Sequence, residues 1–124
     1  MYNRFTGWLL IAVGFATGVG LGLGFHREDF LCGYSSLRRR LLRLGHIACV
    51  ALGIINVLFD VWQRHAYAEH ELLPLASWSW ILGGFTMPLV CFASAFKSEL
   101  RHLFCLPVAL LLTAGITTLR MAWP

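Results

Sequence analysis

Apolar residues occur in four long runs, at about residues 8–25, 44–62, 72–96 and 103–119, and the charged residues collect mainly in the three stretches between them. None of the runs shows the two-residue alternation of a half-buried strand. Each approaches the ~20 residues that a helix needs to cross the hydrocarbon core of a bilayer. A lone segment in lipid must also satisfy its own backbone hydrogen bonds, which a helix does. The pattern predicts an all-α integral membrane protein with transmembrane helices at about 7–25, 44–62, 74–96 and 102–120, forming one domain over residues 1–124. Pro88 and Pro107, inside the third and fourth runs, are expected as kinks of the kind membrane helices tolerate. With Arg4 ahead of it and small residues from Ala16 to Gly18, the first run also has features of a cleaved signal peptide. Its apolar character continues to Phe25 with no polar cleavage region, which favours a retained helix.

Composition agrees with this reading. The chain is 58% hydrophobic and 13% charged, with a mean hydropathy of +0.69, whereas soluble domains carry about 25% charged residues. Four crossings use most of the 124 residues and leave no room for a soluble catalytic domain. A net charge of +4 and a pI near 9.2 would suit nucleic acid, but the basic residues sit between apolar runs, where they orient membrane proteins. A nucleic-acid partner is therefore not expected. Arg4, Arg64 and Arg120 fall on one side of the expected bilayer, and Arg27, Arg38, Arg39, Arg40, Arg43, Lys97 and Arg101 on the other. By the positive-inside rule the second group is cytoplasmic and both termini lie on the non-cytoplasmic side, although Arg4 alone argues the reverse. Cys32, Cys49, Cys91 and Cys105 are scattered, with no C-x-x-C pair.

The basic segment 26–43 has its own periodicity. Phe30, Tyr34, Leu37, Leu41 and Leu44 share a helical face, while Arg38, Arg39 and Arg43 point elsewhere. This predicts a short amphipathic interfacial helix before the second span, capped by Ser35 or Ser36 after a break at Gly33. Arg38, Arg39, Arg40 and Arg43 would meet anionic headgroups at about 1 kcal/mol each, or form a docking surface or a clamp for anionic ligand groups.

Within the spans, small and polar residues are placed in register. Gly14, Gly18 and Gly22 recur every fourth residue in the first run, beside a second row of Ala16, Gly20 and Gly24. Such rows allow close helix packing, against this chain or another subunit. In the second run His46, Cys49, Gly53, Asn56 and Asp60 lie along one stripe. Asn56 is expected to bond between helices and Asp60 to pair with Arg64 one turn on. As an alternative, the stripe lines a proton or solute path. Gly83, Gly84, Thr86, Ser94, Thr113 and Thr117 fit close crossings or local bonds to backbone carbonyls.

His26, His46 and His102 are expected toward the same membrane face. Two imidazoles on different helices suit axial ligation of haem b, with His46 the first choice and His102 the second; simple interfacial roles need no cofactor. The link His65, Glu69, His70 and Glu71 is expected to be a solvated loop rather than a zinc site, redirected by Pro74. Trp62, Trp78, Trp80 and Trp123 mark an interface. The chain contains no metalloprotease, P-loop, nucleophile-elbow or dinucleotide motif. The leading expectation is a small polytopic membrane protein of structural or accessory type, associated with the lipid bilayer and with a membrane-protein partner or further copies of itself. A haem or electron-transfer subunit and an oligomeric transporter or proton conductor are the alternatives.

Overall fold

A computed structural model describes residues 2–66 and 70–123. Among them are four long helices, α1 (Tyr2–Gly24), α2 (Leu37–Ala66), α3 (Leu73–Phe96) and α4 (Cys105–Ala122), with no strand. Single short 3-10 segments at Phe30–Cys32 and Ser98–Phe104 lie in the links before α2 and α4. Four helical segments are long and apolar enough to cross a membrane. The helices pack in chain order, α1 on α2, α2 on α3 and α3 on α4, with a lighter α1–α3 contact. Burial follows that order: 44% and 50% of the most apolar windows of α2 and α3 are buried, against 17% for each flanking helix. Hence α2 and α3 form the centre, while α1 and α4 leave wide faces uncovered.

The boundaries differ from expectation in three places, each for a physical reason. First, the segment from Leu37 to Arg43 is not a separate interfacial helix. It forms the opening turns of α2, because no residue between Leu37 and Leu44 breaks a helix, and the break lies earlier. Leu31, Cys32 and Gly33 adopt φ of 55°, 66° and 89°, a left-handed stretch that only glycine takes without strain. Ser36 then caps α2, its Oγ accepting from the Arg39 backbone N–H at 3.2 Å and donating to the Leu31 carbonyl at 2.7 Å. Second, α1 starts at Tyr2 instead of residue 7, since Asn3 and Thr6 are buried against the bundle. Third, α4 begins at Cys105, not at 102. Pro107 therefore stands in its first turn, where a missing N–H costs no intrahelical bond, and is not a mid-helix kink. Pro88 does lie inside α3 and is buried.

Two apolar clusters close the bundle at its ends. At one end Leu41, Leu42 and Ala95 pack with Leu21, Leu31, Phe92 and Phe104. At the other, Phe59, Ala76 and Met121 pack with Trp62, Leu72, Leu73 and Trp80. The first is the basic end, where both 3-10 segments lie. The second is the terminal end, where α1 begins and α4 finishes.

Candidate functional site

The stripe residues of α2, from His46 to Asp60, point into the bundle and face neighbouring helices. Gly53 and Gly7 are in mutual close approach: a Cβ on Gly53 would lie 2.8 Å from the Gly7 carbonyl oxygen, and one on Gly7 would lie 2.6 Å from the Gly53 carbonyl oxygen. With the backbones this near, the side chains one turn away reach across. Asn56, fully buried, donates through Nδ2 to the carbonyls of Leu52 (3.0 Å) and Trp80 (3.1 Å) and accepts at Oδ1 from Asn3 Nδ2 (3.1 Å). Asn3 Nδ2 also donates to the Ser77 carbonyl at 3.2 Å, and the Ser77 hydroxyl donates to Asn3 Oδ1. One asparagine pair thereby joins α1, α2 and α3.

One turn further on, the buried Asp60 accepts from Arg64 Nε at 2.9 Å and from Gln63 Nε2 at 3.4 Å, and Arg4 Nε approaches to 3.9 Å. The expected Asp60–Arg64 pair is present, with an arginine from α1 beside it. A cleft of about 470 Å³, lined by Tyr2, Asn3, Gln63, Arg64, Leu73, Pro74 and Ser77, opens at this terminal end. His70, beside the start of α3, accepts at Nδ1 from the Leu72 backbone N–H (3.1 Å). The side chain of His65 and residue Glu69 lie outside the described parts of the chain.

Toward the basic end the stripe continues with buried Cys49 and with His46. His46 Nδ1 lies 2.8 Å from the Gly14 carbonyl oxygen and 3.4 Å from Thr17 Oγ1. Its ring sits over Gly18, where a Cβ would fall 2.7 Å from Cε1. Gly14 and Gly18 thus face α2, Gly24 faces the Phe30 ring, and a Cβ on Gly20 or Gly22 would meet nothing within 4 Å beyond the backbone of its own helix. His26 and His102 are exposed. The described residues contain no group of three or more His, Cys, Asp or Glu side chains arranged to hold a metal ion.

The arginines of the basic segment differ from one another. Arg40 is exposed. Arg38 donates from Nε to the Ala95 carbonyl at 3.1 Å and lies over Phe96, which ties α2 to the end of α3. Arg39, expected to point toward headgroups, is only 5% exposed; it lies over the Phe25 ring at 4.4 Å and near the Tyr34 ring at 5.4 Å. Arg43 lies over the other ring neighbour, Tyr34, at 4.6 Å. Sequence reasoning missed Asn3 and Ser77 altogether. For Asn3 a signal existed, since Asn3, Gly7, Leu10 and Gly14 continue one helical row in steps of four, three and four.

Comparison with known proteins gives no matching family model, no matching curated protein and no matching solved structure.

Proposed function

We propose that this chain is a helical membrane subunit of structural or accessory type, which assembles through the outer face of α1 with further copies of itself or with a larger membrane complex. In this reading it crosses the bilayer four times, with the basic end in the cytoplasm and both termini on the other side. The observation that carries the proposal is the division of labour around α1. Gly7, Gly14 and Gly18 are taken up by α2; of the second row, Gly24 is covered by Phe30, whereas Ala16 and Gly20, together with Ala12 one turn before them, are left uncovered. Small residues in lipid-facing helices admit another backbone at close range, the main source of helix association where no hydrophobic effect acts.

The test is crosslinking in native membranes through Ala16→Cys, read with and without Gly20→Ile. A crosslinked species lost on Gly20→Ile is expected. A chain that stays monomeric and uncrosslinked at this row in its own membrane would overturn the proposal. Conduction along α2 is less well supported, because Gly53, Asn56 and Asp60 each contact another helix or an arginine partner. For the haem alternative, haem-replete expression is expected to give no Soret band; a band abolished by His46→Ala would displace the structural reading.

A further inference from the structure

Arg39 and Arg43 stand four residues apart on α2, so their side chains share one face. Both lie against Tyr34, and Phe25 covers Arg39 from α1's end. Two like charges at this spacing repel each other unless an anion sits between them. Among the described residues no ion pair supplies one: Asp29 approaches Arg27 at 3.8 Å, and the other ion pairs are at Asp60. Yet Arg39 is 5% exposed, and its Nε is buried with no hydrogen-bond partner. A buried guanidinium with an idle donor is costly, and the cost is relieved when an anion is hydrogen-bonded to it. Ring faces cover the flat of a guanidinium and leave its N–H edge for an acceptor.

We propose that Arg39 and Arg43, held by Phe25 and Tyr34, clamp the phosphate group of an anionic membrane lipid. Phosphate matches the fork of arginine donors and accepts several hydrogen bonds at once. The surroundings select a lipid over a soluble phosphate: Phe25 and Tyr34, the rings that lie against the two arginines, are themselves 38% and 70% exposed, apolar surface for acyl chains beside the charged pair. The left-handed backbone at Leu31, Cys32 and Gly33 turns the chain ahead of Tyr34. Strain of this kind is retained where it pre-organises a site.

Native mass spectrometry of the full chain, released from detergent with phosphatidylglycerol, phosphatidylcholine or inorganic phosphate, tests the clamp. One phosphatidylglycerol per chain is expected to be retained, about tenfold in preference to phosphatidylcholine. Arg39→Lys keeps the charge but loses the stacked fork, and is expected to cut retention by about fivefold or more, whereas Arg101→Gln, which removes a charge from the same end, leaves it unchanged. General attraction to a positive surface gives the reverse order, and that result would overturn the clamp. Inorganic phosphate binding as well as the lipid would overturn the lipid assignment. If Arg39→Lys does not give a helical, monodisperse protein, Arg43→Lys carries the same comparison from a partly buried position, and undiminished retention there counts against the proposal.

Discussion

Asn56 and Asp60 are both fully buried polar residues one turn apart on α2, yet they serve stability to different extents. Asn56 bonds to three groups on α1, α2 and α3. Replacing it with Leu removes the bond that joins α2 to the Trp80 carbonyl of α3 and deprives Asn3 Nδ2 of one of its two acceptors. Interhelical bonds of this kind contribute about 0.6–2 kcal/mol in lipid, and an orphaned buried partner adds to the loss. We expect Asn56→Leu to destabilise the bundle by about 1–3 kcal/mol, read as a lower unfolding midpoint in mixed micelles. Asp60→Asn should cost less. Its arginine partners are about half exposed, 47% for Arg64 and 53% for Arg4, so solvent screens much of the attraction, and the amide keeps an acceptor oxygen for Arg64. A larger loss at Asp60 than at Asn56 would assign the polar node's stability to charge. The sequence pointed to Asn56 as an interhelical bonder and to Arg64 as the partner of Asp60, because each follows from spacing on one helix. It did not reveal Asn3 and Ser77 as the far partners, since which helix faces the stripe is a property of the assembled bundle.

At the scale of the element, the glycines separate into those that fix helix packing and those that do not. A methyl on Gly53 meets the Gly7 carbonyl oxygen at 2.8 Å and the Ile11 backbone nitrogen at 3.1 Å. Backbone cannot turn aside as a side-chain tip can, so α1 and α2 must separate. Gly53→Ala is therefore expected to cost about 1–3 kcal/mol, while Gly22→Ala, open on every side, should be neutral or gain up to about 1 kcal/mol from helix propensity. Paired unfolding curves in micelles check this, and equal effects at the two sites would contradict the packing described. The two glycine rows were legible as patterns, but their allotment was not, because four-residue spacing is the same whether the neighbour is α2, lipid or another chain. The merger of the basic segment into α2 was hidden for a related reason. An amphipathic face from Tyr34 to Leu44 is continuous with either a bent elbow or a straight helix; the choice was made upstream, by the backbone reversal at Leu31 and Cys32, two residues with no preference for that conformation.

For the whole molecule, the governing asymmetry is electrical. Arg27, Arg38, Arg39, Arg40, Arg43, Lys97 and Arg101 belong to the end formed by the two 3-10 links, while Arg4, Arg64 and Arg120 belong to the terminal end. Four long apolar helices were legible from hydropathy alone, because backbone in lipid has so few ways to satisfy itself; the sidedness proposed for them rests on the charge difference. The cysteines provide the measurement. Cys32 is exposed in the link before α2, whereas Cys49 and Cys91 are buried between the central helices. In a Cys105→Ser background, a membrane-impermeant maleimide should label Cys32 only when the cytoplasmic face is opened. A cysteine introduced at Trp123, exposed at the terminal end, should react from the other face without permeabilisation. Cys49 and Cys91 should stay unlabelled until detergent unfolds the chain, because a reagent that cannot enter the bundle cannot reach a thiol buried in it. Labelling of Cys32 from the outer face would invert the topology, bring the arginine clamp to the outer leaflet, and require Arg4 to outweigh the seven basic residues of the opposite end.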